Sequence, residues 1–385
     1  MGQRYLIIGC GFSGAVLANQ LSATLDCSID VWDERTHIGG NCHTKRDAAT
    51  GIMVHEYGPH IFNTNSREIW DYVTSFGEFY PYVHRVKARY NDEMYSLPIN
   101  LHTINQYFKK AFSPTEAKAF IDQLGDKSID DPRNFEEQAH RFIGKDLYEA
   151  FFYGYTKKQW GCEPSQLPAS ILKRIPVRFT YDDNYHLSSF TGIPVDGYTA
   201  LIEKMLLHPS IKIHLDKKFD ASMRDLPYDH IFFTGPLDGY FGFNLGRLGY
   251  RTVSFEKHYA TNDFQGTAQV NYCDLTESYT RITEHKYFAP WEKHEQTVYF
   301  TEYSKETGAN DTPFYPKRLE ADIELLKRYR VEAQKLNGIS FLGRLATYRY
   351  MDMHHVIGEA MQFTKLFVEA HKNKRPLPLF SNDEI

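Results

Sequence analysis

Six residues near the start of the chain have the types and spacing to hold an anionic ligand. Gly9-Cys10-Gly11-Phe12-Ser13-Gly14 is a G-x-G-x-x-G run. It follows a short apolar strand, Tyr5 to Ile8, and opens a helical pattern from Ser13 to Leu25 with apolar Ala15, Val16, Ala18, Leu21 and Leu25. A second strand, Ser28 to Trp32, ends at Asp33, 19 residues after Gly14. In that context the run binds a dinucleotide. Gly9 makes the tight turn, Gly11 lets the backbone approach the pyrophosphate, and Gly14 lets helix and strand pack closely. Phe12 and Ser13 open the helix, whose free N–H groups and positive end face the phosphates. Asp33, with Glu34 beside it, is placed for the adenosine ribose hydroxyls.

These residues need a βαβ unit with a right-handed crossover to position them. The remaining elements follow the same logic. From about Leu101 to Gln166 the pattern is helical. Ser113 is a candidate N-cap with Glu116 three residues on, and Gly144 separates a helix through Asn134–Phe142 from Asp146–Phe152. Val83–Leu97, Arg178–Gly192 and Thr252–Tyr303 alternate or are rich in β-branched and aromatic residues, and read as strands and turns. Tyr198–Leu207 and Glu320–Lys335 read as helices, and the tail after Lys372 as irregular.

Composition bounds the function. The chain has 385 residues, 44 Lys+Arg against 49 Asp+Glu, and a net charge of −5. That balance argues against a general nucleic-acid binder, which needs a basic surface. Five scattered cysteines without a CxxC fit a reducing compartment with neither disulfides nor structural zinc. The start enters a strand at once without a signal peptide, and no run approaches 18 apolar residues, so a cytoplasmic protein without a membrane span is expected. The 27 Tyr and 27 Phe fit either aromatic packing or a cleft that stacks flat ligands. A metal site is not expected, because the adjacent His354 and His355 do not share a helix face.

Asp33 is followed by Gly39-Gly40-Asn41, and an acidic strand end with a Gly-Gly turn resembles the FAD-binding branch of the dinucleotide fold, as in amine oxidases. Longer strings occur further on. They are His55-Glu56-Tyr57-Gly58-Pro59-His60-Ile61-Phe62, Gly154-Tyr155-Thr156-Lys157-Lys158-Gln159-Trp160-Gly161, Lys173-Arg174-Ile175-Pro176-Val177-Arg178-Phe179, Tyr279-Thr280-Arg281-Ile282-Thr283-Glu284-His285-Lys286 and Gly343-Arg344-Leu345-Ala346-Thr347-Tyr348-Arg349-Tyr350-Met351-Asp352-Met353. Together they closely resemble the bacterial UDP-galactopyranose mutases, from Tyr5 to about Ala370.

The resemblance implies a Rossmann-like α/β FAD domain (1–85, 195–238 and 318–385), a helical insertion (100–170) and a twisted antiparallel β-sheet domain (86–99, 171–194 and 239–317). It implies a homodimer that interconverts UDP-galactopyranose and UDP-galactofuranose for cell-wall or lipopolysaccharide biosynthesis. FAD would act reduced, by a cellular reductant such as NAD(P)H. Its N5 would attack the anomeric carbon as UDP leaves, and a flavin–sugar iminium would allow ring contraction without net redox. Arg174 and Arg281 would stabilise the leaving diphosphate, Arg174 on a mobile lid. Phe152, Tyr155 and Thr156 would line the uridine site, with Trp160 at the sugar. Tyr185, Tyr315 and Tyr350 would approach the phosphates, with Asn271 and Glu302 beside them. The cofactor set gains Gly40, Asn41, His60, Ile61, Gly343, Arg344, Tyr350, Asp352 and Met353.

The chain departs from the family pattern in three places. Asn63 stands where the second His of an HIFHT string is frequent, His84 where Asn is frequent beside the sugar, and Asp196 where Gly-Gly-Tyr is frequent. These place tolerance of a 2-acetamido sugar in question. Two alternatives stand beside the mutase reading. An amine-oxidase-type FAD oxidase shares the fingerprint but has no use for paired arginines. A non-catalytic UDP-sugar-binding flavoprotein has no use for retaining Arg174 and Arg281.

Overall fold

Strand Gln3–Ile8, helix Phe12–Thr24 and strand Cys27–Trp32 form the βαβ unit that the glycine run requires. The computed structural model describes residues 2–169 and 177–382. Five parallel strands run in the order Ile211–His214, Cys27–Trp32, Gln3–Ile8, His230–Phe233 and Ile339–Phe341. Alternation along the first strand divides two cores. Tyr5 and Ile7 enter the core under helices Phe12–Thr24 and Met353–Lys372, with Ala15, Val16, Phe363 and Phe367. Leu6 and Ile8 enter the core on the other face, with Leu326, Tyr329 and Ala333 of helix Glu320–Ala333. Burial on both faces is why these strands read as unbroken apolar runs.

A seven-stranded sheet runs Tyr315–Pro316, Tyr250–Thr261, Gln296–Glu306, Arg281–Glu284, Gln269–Tyr272, Val86–Tyr90 and Glu93–Leu97. It is antiparallel except where Gln269–Tyr272 pairs in parallel with Val86–Tyr90. Helices Leu101–Phe108, Pro114–Leu124 and Phe135–Tyr148 build a third core around Phe135, Ile143, Leu147 and Phe151. Ser113 and Glu116 form the expected capping box. Gly144 breaks its helix at φ 76°, and a Cβ there would stand 2.6 Å from the Leu124 carbonyl oxygen.

The stretch read as strands over Arg178–Gly192 differs. Residues 177–189 form no strand, and Phe190–Pro194 pairs with Phe62–Thr64 and Phe79–Tyr80 rather than with the large sheet. The cause is aromatic packing across sequence distance. Trp70 stacks on Phe190 at 5.5 Å and meets Phe62 and Phe79. All five cysteines are free thiols. Among the described residues no helix is long and apolar enough to cross a membrane.

Candidate functional site

Backbone shape builds the dinucleotide cradle. Gly9 sits at φ 103°, and a Cβ there would lie 2.0 Å from Thr234 Oγ1. A Cβ on Gly14 would lie 2.0 Å from the Gly9 carbonyl oxygen. Gly39 donates its N–H to the Cys10 carbonyl, and Gly40 at φ 55° packs on the Gly11 Cα. Gly343 opens a second short helix against Ser13, whose Oγ a Cβ there would strike. The buried Asp33 accepts the backbone N–H groups of Cys10 (2.8 Å) and Arg35 (3.0 Å), so it first fixes the loop that presents the fingerprint. Arg35 donates to Asn41 Oδ1 at 2.8 Å, and its Nη1 is buried without a partner. Close-fitting glycines at two helix starts, with an orphaned guanidinium nitrogen beside them, fit a dinucleotide diphosphate.

The side chains of four expected cofactor residues have protein partners of their own. Glu34 is exposed and pairs with Lys218 at 3.4 Å. Phe12 is buried and meets Tyr198 edge-on, a packing role. Met353 packs against the core under the flavin-side helices. Asp352 ends next to Tyr185 and His186 rather than at the glycine run.

The large sheet aligns the substrate-side residues. Asn271 is opposite Arg281, and Arg281 is opposite Glu302, so three functional side chains stand in one row across three strands. Arg281 donates from Nε (2.8 Å) and Nη2 (2.7 Å) to Glu302 Oε2. Glu302 is 1% exposed, and the Thr280 hydroxyl also reaches it. Burial lowers and the Glu302 carboxylate raises the Arg281 pKa, and the outcome is a guanidinium held above its ordinary range, always charged. Tyr155, Tyr185 and Tyr315 all feel that charge, and burial nevertheless pushes their hydroxyls up, Tyr315 to about 12. They are neutral donors at any physiological pH. Tyr350 stacks on Tyr315 at 6.1 Å, and Arg344 lies near Tyr315 and His60.

Tyr155, Tyr185, Arg281, Glu302 and Tyr315 come together from separate elements. Helix Gly154–Trp160 brings Tyr155, Thr156 and Trp160, the sheet brings Asn271, Arg281, Glu302 and Tyr315, and loops bring Tyr185, Tyr350 and Asp352. Phe152 is buried in the helical core against Phe135. Arg174 lies outside the described residues. His84 is 95% buried by its 5% exposure, and burial pushes its imidazole down to about 3. Gln269 hydrogen-bonds it, Arg281 is near, and its Nδ1 is buried without a partner. Asn63 accepts from the Ser188 hydroxyl and so ties the 188–191 segment to the flavin-side loop.

Sequence reasoning missed Gly58 and Gln269. Gly58, at φ 94°, would place a Cβ 3.6 Å from Arg281 Nη2 and 3.8 Å from Glu302 Oε2. The loop that carries His60 and Ile61 therefore lies directly on the arginine. A glycine before Pro59 in an uncommon string was the available signal. Gln269 donates to Asn271 Oδ1 at 2.8 Å, and only strand register reveals it. The histidine pair lies closer together than adjacency on a helix suggests. Asp352, His354 and His355 bring ligand atoms within 4.8 Å of one another, because Asp352 caps the helix and the first turn folds the adjacent rings to 4.0 Å.

A family model described as UDP-galactopyranose mutase matches residues 150–350, and an NAD(P)-binding Rossmann-like model matches residues 7–76. A Klebsiella pneumoniae protein named probable UDP-galactopyranose mutase is 52% identical over 98% of this chain and 97% of its own. The chain belongs to the UDP-galactopyranose mutase family. An Escherichia coli protein named dTDP-fucopyranose mutase is 49% identical over 96% of this chain and 99% of its own. In fold the chain is similar to a crystal structure of reduced UDP-galactopyranose mutase, at TM-score 0.73 and 14% identity over 96% of both chains. It is also similar to the crystal structure of an Exiguobacterium protein named putative protoporphyrinogen oxidase, at TM-score 0.64 and 13% identity over 94% of this chain and 98% of that one. FAD is accordingly the cofactor of the cradle in this UDP-galactopyranose mutase family member.

Proposed function

We propose that this protein interconverts UDP-galactopyranose and UDP-galactofuranose. The observation that carries the reading is the row Asn271–Arg281–Glu302, its guanidinium part-exposed between two buried partners, pressed against the flavin-side loop at Gly58. A charged guanidinium there meets both a departing diphosphate and the cofactor face. When bound and reduced, FAD supplies a nucleophilic nitrogen for the anomeric carbon, without net redox. Arg281 stabilises the negative charge that builds on the leaving diphosphate, with Arg174 as its partner. Tyr185, Tyr315 and Tyr350 donate neutral hydrogen bonds to the same oxygens, and Tyr155, Thr156 and Trp160 wall the uridine and sugar. A cellular reductant such as NAD(P)H, a homodimer and a cytoplasmic setting belong to this reading.

The dTDP-fucopyranose mutase relative supports a second reading. Fucose lacks the 6-hydroxyl of galactose, and dTDP carries a methylated base on deoxyribose. The test is anaerobic incubation with UDP-galactofuranose or dTDP-fucofuranose, with and without dithionite, followed by chromatography. Conversion of the UDP-sugar only after reduction is expected. Preference for the dTDP-sugar would move the assignment to the second reading. Oxygen consumption with neither sugar rearranged would return it to the oxidase class.

A further inference from the structure

The site is assembled from two pieces of chain that are distant in sequence. Helix Gly154–Trp160 carries Tyr155, Thr156 and Trp160. The hairpin of strands Gln269–Tyr272 and Arg281–Glu284 carries Asn271 and Arg281 at the two ends of its turn. A ligand that touches both needs their spacing fixed before it arrives.

Lys158 joins the pieces. Its Nζ donates to the carbonyls of Tyr272 (2.8 Å), Glu277 (3.1 Å) and Tyr279 (2.9 Å). An ammonium has three N–H donors, and all three are taken by the hairpin backbone. Burial lowers its pKa, and the nearby Asp274 and Glu277 carboxylates oppose that shift. The helix also sits against the hairpin, since a Cβ on Gly154 would stand 2.3 Å from the Cys273 carbonyl oxygen. The far end is held separately. Arg251 donates to the Gln159 (3.0 Å) and Lys158 (3.3 Å) carbonyls, two groups that a helix end leaves open.

We propose that Lys158 is a positioning residue that locks the Tyr155–Trp160 helix to the Arg281 hairpin and so presets the distance between the nucleoside wall and the diphosphate-binding arginine. This rests on the nucleotide-sugar reading above. Lys158 touches no reacting atom. It acts through Tyr155 and Arg281.

The test compares the full-length FAD-loaded enzyme with Lys158→Met, which keeps the stem but donates nothing. A control is Lys286→Met, which loses a donor to the Asn262 carbonyl and an ion pair with Asp263, just beyond the end of strand Arg281–Glu284 that lies away from the turn. Affinities for uridine and for uridine diphosphate are measured by calorimetry. Hydrogen exchange is followed at the amides of Tyr272, Cys273, Thr280 and Arg281. For Lys158→Met, uridine affinity should stay within about twofold, because the helix wall survives. Uridine diphosphate affinity should fall about tenfold, because preorganisation between the two half-sites is lost. Hairpin amides should exchange faster, and Lys286→Met should change none of these.

Equal weakening of both ligands, or no weakening of either, overturns the proposal, as does unchanged hairpin exchange. A purely structural role would lower the melting temperature and leave the ligand ratio intact. If Lys158→Met does not accumulate folded, Lys158→Gln keeps two donors and should show an intermediate ratio. If the wild type binds no uridine diphosphate, the functional reading fails, and the exchange measurement still decides whether Lys158 fastens the hairpin.

Discussion

Replacing Glu302 by Gln removes one charge and almost no volume, so it isolates what the carboxylate does for Arg281. Two unit charges about 4 Å apart attract by about 4 kcal/mol at an effective dielectric of about 20. The pair here is closer, and both partners are shielded, with 1% of the Glu302 side chain and 17% of the Arg281 side chain exposed. Breaking a buried pair strands the remaining charge at a cost of about 3–5 kcal/mol. Glu302→Gln should therefore lose about 3 kcal/mol of stability without ligand, since the amide oxygen still accepts one hydrogen bond. The diphosphate of UDP brings a replacement counter-charge. Saturating UDP should then raise the melting temperature of the variant more than that of the wild type. The assay is differential scanning fluorimetry with and without UDP, together with kcat/KM, which should fall about tenfold to a hundredfold as the guanidinium loses its aim. If the variant melts with the wild type and UDP raises both equally, strand register alone holds Arg281 and the electrostatic argument is wrong.

Arg281→Met should reduce kcat by about 10²–10³ with a smaller effect on KM, the signature of lost charge stabilisation in the transition state. Gly14→Ala would drive a methyl into the Gly9 carbonyl, so the protein should purify with its visible flavin absorbance, per mole of chain, sharply reduced. Acid should unfold the protein early. Burial holds His60 at about 4 and His84, His230 and His285 at about 3, whereas the unfolded chain protonates them below about pH 6.5. Their folded pKa values lie below the unfolded one, so their contribution is intact above pH 6.5 and is lost as pH falls toward 4. Each costs about 1 kcal/mol between pH 6.5 and 5.5, where the unfolded group is only part-titrated, and about 1.4 kcal/mol per pH unit below that, so the four together lose about 4 kcal/mol over the first unit. A melting temperature that is flat from pH 7.5 to 5 would contradict the burial argument.

Local chemistry was legible in the sequence, and non-local register was not. Gly9, Gly14 and Asp33 announce the cradle because turn, close packing and strand end fall within one βαβ unit. Ser113 with Glu116, and Gly144, set a helix start and a break through neighbours a few residues away. The row Asn271–Arg281–Glu302 is different. Each residue was a candidate alone, but their alignment depends on which strands pair and in what register, which no local pattern states. The same is true of Phe190–Pro194, drawn to Phe62 and Phe79 by Trp70. Phe152 depends on packing in the same way, for its burial against Phe135 follows from how the helical core assembles and not from its neighbours in sequence. The resemblance supplied Tyr185 and Tyr350, whose segments have no periodic signal.

The parallel pairing of Val86–Tyr90 with Gln269–Tyr272 also shapes how the molecule is made. The paired strands are separated by roughly 180 residues, and the cost of closing so long a loop precedes the contacts that reward it. On the ribosome the hairpin of Val86–Leu97 emerges early and waits with one edge open until Gln269 is synthesised. The five-stranded sheet waits longer, because its outer strand is Ile339–Phe341. Both halves of the molecule therefore finish folding late, and a nascent chain stalled near residue 260 carries unpaired edges in each, the state most exposed to aggregation and most dependent on chaperones.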